Sequence, residues 1–306
     1  MSALLPFDLS QLPPPAAIEP LSPEALKGDF KSRFVAAWDE LRATRPDLPL
    51  YTVEGLETDP AIIAARAWCA QRLLDRARVN DAVRAVLAPL ASGTDLDNVV
   101  ARLGVQRLVL VPATETTAAI MESDQQLLRR YLLAFERPSA GSADRYMYEA
   151  YTAVPTLQDV AVIGRAVHGR RGDTDIVIAG AGGADATDEQ LAAVRAAVTA
   201  SGVKPEAVSL TVLRAVRHTY AAAMTLLIPP GPDAGLIKAA AEAAIAAAGK
   251  LRLAIGGEVP VDAIVGPAYV AGVVRVVRQL PAGDLAADPY AIPVLDTVTI
   301  ATGAAS

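Results

Sequence analysis

Chemistry in this chain would have to come from a short list of residues. His168 and His218 are the only two imidazoles among 306 residues. A metal site or a general base needs a second histidine, a cysteine or a carboxylate at ligand spacing, and neither histidine has one. A whole stretch of alternating strand and helix separates them, so both read as surface groups at strand ends. Ser201 and Lys204 have the serine-x-x-lysine spacing of a nucleophile and its base, but Gly202 and Pro205 turn that segment into a helix stop. Gly180-Ala181-Gly182-Gly183 lies between a strand and a helix, where a dinucleotide-binding turn belongs. The third glycine position of that fingerprint is Asp185, and Asp188 and Glu189 follow. Carboxylates there repel a pyrophosphate, which makes the segment an acidic connector. A nucleotide-binding α/β enzyme built on Gly180 to Asp185 stands as the alternative functional reading.

Three further signals carry equally modest chemistry. Asp95 and Asp97 fall short of the roughly six to eight oxygen ligands that calcium takes. In the first turn of a helix they instead complement its dipole. Cys69, the sole cysteine, excludes an intrachain disulfide and a thiolate-clustered metal site, and it reads as a small core residue. Residues 83 to 103 have the outline of a helix-turn-helix, yet the second helix, DLDNVVARLG, opens with two acids where phosphates and bases would be met. A DNA-binding protein is therefore the weaker alternative. No catalytic set, metal site or cofactor site is expected, and no enzyme.

Charge and hydropathy narrow the partners. The net charge of -6 disfavours nucleic acid, because affinity there comes from clustered Lys and Arg, and the arginines of residues 66 to 107 are offset by Asp75, Asp81, Asp95 and Asp97. Alanine inflates the hydrophobic content of 52%, while aromatics make up only 5%. The uncharged runs stop short of the roughly 18 residues that cross a bilayer. An aspartate and a proline cluster stand where a signal peptide would carry a basic and then an apolar region. Neither a membrane nor a small-molecule substrate is expected as partner.

The elements that must position everything are organised around residues 59 to 107. Asp59 is a natural N-cap and Pro60 a natural first helical residue, since the first turn leaves the missing backbone donor unpaired anyway. The helix is expected to run to about residue 90, about 45 Å at about 1.5 Å per residue, where Pro89 and the Ser92-Gly93 pair stop it. Thr94 or Asp95 then caps a short helix that Gly104 terminates. At a period of 3.6 residues, Ile62, Ile63, Ala67, Cys69, Ala70, Leu73, Leu74 and Ala77 share a face in the first half. Val79, Val83, Val86, Leu87 and Leu90 lie a third of a turn or more away in the second. A helix that changes its apolar side midway should pack on two neighbours. Trp68 sits near the azimuth of the second stripe. Either the preceding helix of the same chain covers it, or another polypeptide does; periodicity leaves both open.

Elsewhere the order is simpler. Residues 1 to 22 are proline-rich and expected as an extended arm. Residues 23 to 45 form an amphipathic helix carrying Leu26, Phe30, Phe34, Trp38 and Leu41. Residues 112 to 122 suggest a mobile loop, and helices follow from Ser123 and again around Tyr146 to Tyr151. From Pro155 the period changes. Strands are expected at 157–167, 174–179, 207–216, 219–228, 272–279 and 294–301, with helices at 187–201, 233–249 and 260–269. The fold class is α+β: an N-terminal helical region with one long helix, then two small α/β sandwich-like domains with mostly antiparallel sheets. The domains are expected as an arm (1–22), a bundle-forming helical region (23–153) and two α/β domains (154–217 and 218–306).

The run RVNDAVRAVLAPLASGTDLDNVVARLGVQR resembles the signature region of the baseplate J family, wedge proteins of contractile phage tails and related injection particles. FDLSQLPPP resembles the family's N-terminal arm, LETDP its entry to the long helix, and MESDQQLLRRYLLAFE the helix after its loop. SGVKPEAVSLTVLRA and the closing VTIATG strand are similar to later segments. Lys204 stands where the family usually has arginine before its proline. The resemblance implies a non-enzymatic scaffold in a virion tail baseplate, assembled in the host cytoplasm. Its partners would be further copies of itself, a smaller wedge partner of the tail protein I kind, and other baseplate, hub and sheath proteins. It implies a wedge bundle of N-terminal helices and a ring closed by C-terminal α/β domains. On the long helix, before and within the signature, the interface residues expected are Trp68, Arg72, Arg76, Val79, Val83 and Arg84. Asn80 and Asp95, with Asp59, Gly93 and Gly104, would fix turns and caps.

Overall fold

The computed structural model describes residues 13, 15–52, 56–231 and 233–304. Most of the expected arm, residues 1–12 and 14, lies outside them; residues 15–22 run without helix or strand into the first helix. Contacts divide the chain into two compact units, Phe7–Arg102 and one spanning Leu103–Ser306. This places the division at residue 102, inside the 23–153 range read from sequence as helical.

The first unit holds α1 (Pro23–Thr44), α2 (Pro60–Ala85) and α3 (Gly93–Val100). Ser22 caps α1 by accepting from the Ala25 amide at 3.2 Å. The long helix is 26 residues, about 39 Å, and ends at Ala85. It is shorter than expected because the turn that leads to Pro89 has already begun at Val86.

The second unit opens with a hairpin, β1 (Val109–Val111) against β2 (Ile120–Met121). The expected mobile loop therefore contains a strand. Two helices follow, α4 (Asp124–Leu133) and α5 (Ala143–Ala153). In α4 the Ser123 hydroxyl accepts from the Gln126 amide while the Gln126 side chain accepts from the Ser123 amide, a reciprocal capping box. A buried ion pair ties hairpin to helix: Arg130 of α4 meets Glu122 at 2.7 Å, and Arg130 also donates to the Gln106 carbonyl.

Two three-stranded sheets come next. In the first, β3 (Asp159–Ile163) pairs antiparallel with β4 (Asp173–Ala179), which pairs parallel with β5 (Ser209–Arg214). The expected strand 157–167 stops at Ile163, because Gly164 begins the one-turn α6 (Arg165–His168). Helix α7 (Asp188–Val198) carries a second capping box, Thr187 with Gln190.

In the second sheet β6 (Val216–Ile228) is central. Around it lie α8 (Ala234–Leu251), α9 (Val261–Val265), β7 (Arg275–Leu280), antiparallel to β6, and β8 (Ala291–Ala304), parallel to it. Among the described strands antiparallel pairings outnumber parallel ones three to two, and the fold class is α+β. Strand β8 starts three residues before the expected 294. Pro293 is accommodated there because β8 has a neighbour on one side only.

The core of this sheet follows from alternation meeting helical period. Met224, Leu226 and Ile228 of β6 and Ile300 of β8 face Ile237, Ala241 and Ile245, four residues apart along α8. Ile245 is fully buried, and truncating such a side chain to alanine costs about 2–5 kcal/mol. A second cluster, among them Ile163, Val177, Ala215, Ile255 and Ile292, spans both sheets.

Polar ties accompany it. The buried Asp159 carboxylate accepts from the Ile255 amide at 2.7 Å and from the Tyr151 hydroxyl at 3.1 Å. Tyr290 donates to Asp175 at 2.7 Å. The boundary expected between residues 217 and 218 falls within β6.

Candidate assembly interface

Helix α2 starts as its sequence requires. The Asp59 carboxylate accepts from the Ala61 amide at 2.8 Å and from the Tyr51 hydroxyl at 2.6 Å. The Tyr51 bond holds the Asp59 carboxyl below the usual carboxylate range.

Along the helix, Ile62, Ala65, Cys69 and Asn80 are buried and Leu73, Arg76 and Val83 half-buried. Steps of three and four residues make these one continuous inward face. Two apolar faces exchanged at Arg78 are thus not what covers the helix. Ile63 and Leu74, expected to share the side of Ile62 and Cys69, are instead 54% and 63% exposed. With exposed Ala67 and Ala70 they form a stripe at intervals of four, three and four residues. The physical reason is width: a single packed face cannot cover every apolar residue on a helix that is apolar over more than half its circumference.

On α1 Leu26 is buried, and the rings of Phe30, Phe34 and Trp38, only half-buried, meet α2 and the link that leads to it. Phe30 lies 5.5 Å from Trp68, Phe34 5.0 Å from Tyr51, and Trp38 5.9 Å from Tyr51, centroid to centroid. The Trp38 indole donates to the Pro49 carbonyl at 3.0 Å. Phe30 thus covers part of Trp68, which stays 37% exposed.

Farther along, the buried Asn80 side chain reads the backbone of Glu19. Its amide donates to the Glu19 carbonyl at 2.8 Å and its oxygen accepts from the Glu19 amide at 3.0 Å. Arg76 pairs with the Glu19 carboxylate at 2.7 Å. Arg72, Val79 and Asp75 complete a crevice of about 110 Å³ beside this clip. Four residues singled out from sequence, Arg72, Arg76, Val79 and Asn80, therefore meet at one place.

The remaining ones lie elsewhere. Arg84 pairs with Asp81 at 3.1 Å, and Val83 continues the inward face. Past the helix, Ser92 stands at the N-cap of α3, with Gly93 the first helical residue in a left-handed conformation, φ 55°, and Asp95 in the first turn. The start of α3 is thus two to three residues earlier than a Thr94 or Asp95 cap implies. Gly104, φ 66°, turns the chain out of the short helical segment that follows α3.

The other residues with chemical potential occupy structural positions. His168 ends α6 and accepts from the Arg170 amide at 3.0 Å; His218 lies in β6, 3.9 Å from Asp288. The amides of the Gly180 turn are spent within the chain: Gly180 donates to the Ala184 carbonyl, Gly183 to the Gly180 carbonyl and Gly182 to the Gln158 side chain. A Cβ on Gly183 would lie 2.9 Å from Val294 Cγ2, so this glycine is required by packing. Ser201 and Lys204 lie in a turn around Gly202. Among the described residues no cluster of three or more His, Cys, Asp or Glu could hold a metal ion. Nor is any described helix long and apolar enough to cross a membrane.

Sequence reasoning missed the part played by Glu19, and the signal was weak. A lone glutamate in a proline-rich stretch says nothing of a partner 61 residues away.

Comparison with known proteins matches residues 57–114, from the entry to α2 through β1, to the Baseplate J-like N-terminal domain. Baseplate protein J of Escherichia phage P2 is 31% identical over 286 residues, covering 91% of this chain and 92% of that protein.

Proposed function

The chain belongs to the baseplate J family, and from that premise we propose that it is a structural subunit of a phage tail baseplate. The observation that carries this reading is the extent of the similarity to the phage P2 protein, nine-tenths of both chains. More finely, the chain acts as a wedge component of a contractile tail or related injection particle. It meets further copies of itself and a smaller partner of the tail protein I kind through the helical unit. Its α/β part meets neighbouring wedges around the hub and passes their movement to the sheath. It performs no chemistry on a substrate.

The helical unit supports the assembly part of this reading. Helices of 22 and 26 residues bury only one and four residues between them. Soluble monomers rarely leave large contiguous apolar patches in water, and such patches mark interaction sites. The proposed division of labour follows the sequence-derived ranges: 23–153 for the bundle, and 154–217 and 218–306 for contacts around the ring.

Deleting the gene from the phage or prophage that carries it, then imaging the particles, tests the role. Tails without complete baseplates are expected. Normal, contractile tails would overturn it.

A further inference from the structure

We propose that the arm carrying Glu19 is exchangeable, so that the Asn80 and Arg76 clip on α2 takes Glu19 from a second copy of the chain. The proposal rests on the reading that copies meet through the helical unit.

The clip recognises a segment, not a tethered position. Asn80 reads the main chain of one residue through both its donor and its acceptor, and Arg76 reads that residue's carboxylate. Nothing in these contacts depends on the arm being joined to the α1 beside it. Every copy carries both halves, an acidic residue in an extended segment and a basic, amide-bearing helix face, so charge and shape complementarity name the second copy as occupant.

The connection permits the exchange. Pro20 and Leu21, between Glu19 and the helix, are exposed, Leu21 by 51%. The cap of α1 is supplied locally, by Ser22 to Ala25. The arm can turn in another direction at Pro20 and Leu21 without cost to the helix start, and the contacts that Asn80 and Arg76 lose to one arm they regain from the other. Exchange of an identical element is a low-cost route to association, because the contacts are those the single chain already makes.

Charge reversal separates the two arrangements. In the full chain, Glu19→Arg sets two guanidinium groups against each other at the clip, and Arg76→Glu sets two carboxylates against each other. Both clashes arise whether the clip closes within a copy or between identical copies. Mixed in equal amounts, the two single variants regain an opposite-charge pair only by exchanging arms. The double variant Glu19→Arg/Arg76→Glu regains its pairs either way and controls for folding. Isotope-labelled samples weighed by native mass spectrometry should show roughly tenfold more mixed dimer than the homodimer of either single variant, since each exposed or half-exposed pair is worth up to about a fivefold change in the equilibrium. The double variant should match the wild-type distribution.

A mixture with no more dimer than its components overturns the exchange. If the wild-type chain still completes baseplates in that case, the assembly role stands without it. Normal tails in its absence would instead remove the role itself.

Discussion

Arg130 and Glu122 face each other across 2.7 Å with side chains 4% and 0% exposed, so the charge pair that anchors the β1–β2 hairpin to α4 is sealed from water. Leu108 donates its amide to the same carboxylate, and Thr152 of α5 receives the Arg130 Nε. Removing either charge alone leaves the other buried and uncompensated. Glu122→Gln or Arg130→Met should each cost about 3–5 kcal/mol in urea unfolding. The double variant should cost less than the sum by about 0.5–3 kcal/mol, the coupling of residues in contact. Strictly additive losses would show that the pair does not act as a unit.

The two buried aspartates of the α/β part should respond oppositely to pH. Burial pushes the Asp159 carboxyl above its usual range, only partly offset by the amides of Ile255 and Val160, by Arg129 and by Tyr151. Between the unfolded value, about pH 4, and the higher folded one, the native chain binds more protons than the unfolded chain. Stability from this group is therefore full below about pH 4 and falls as pH rises through the folded value. Asp159→Asn should gain on the wild type across that window.

Burial raises Asp175 as well, but hydrogen bonds from Tyr290 and Arg170 outweigh it and leave the carboxyl low. Its contribution is present above about pH 4 and is lost as pH falls through the folded value. Asp175→Asn should be costly near neutrality and the cost should fade in acid. Urea midpoints measured from pH 3 to 8 check both signs; two flat difference curves would contradict them.

Gly183 offers a test of why the glycine-rich turn exists. Its φ of 78° and the 2.9 Å and 3.0 Å approaches of a Cβ to Val294 and Leu253 predict that Gly183→Ala destabilises by about 1–3 kcal/mol. Gly182→Ala, with open space around it, should cost only the backbone strain, about 1 kcal/mol. Thermal unfolding with and without nucleotides reads both at once. A nucleotide-dependent rise in Tm for the wild type that Gly182→Ala abolishes would favour a phosphate cradle.

The exposed stripe on α2 should separate stability from assembly. Leu74→Glu and Ile63→Glu touch no packed face, so the free chain should keep its stability within about 0.5 kcal/mol. Their incorporation into particles should fall sharply. Leu26→Ala, at a buried position, should instead lose about 2–5 kcal/mol. Comparing chemical denaturation with the amount of variant in purified particles decides the matter; full incorporation of both glutamate variants would exclude the stripe from any interface.

Local signals make most element starts legible. Asp59, Ser123 and Thr187 do what short polar side chains do before a helix, accepting from the open first turn. Asp233 does the same for α8, taking hydrogen bonds from Gly235 and Leu236. The α8 core row is equally plain from its period. What sequence does not yield is pairing over distance: Asn80 with Glu19, Asp159 with Ile255, Asp175 with Tyr290. Each joins groups separated by 61 to 115 residues, and no local pattern encodes such a meeting.

The exchange of stripes expected at Arg78 is absent for a related reason. An azimuth says which residues share a side, but the inward side is set by the neighbour: α1 lies along the first half of α2 and the Glu19 segment meets Asn80. Among the candidate residues, Arg72, Arg76, Val79 and Asn80 converge, whereas Trp68 joins the aromatic row and Arg84 its own turn of helix.

Between β5 and β6 stands one residue, Ala215, buried, its amide donating to Ile178 of the first sheet while the next amide, Val216, donates to Tyr290 beside the second. A joint of one residue with both adjoining amides engaged has no slack. The two sheets are thus joined with no free backbone between them, a hinge with its pin left out.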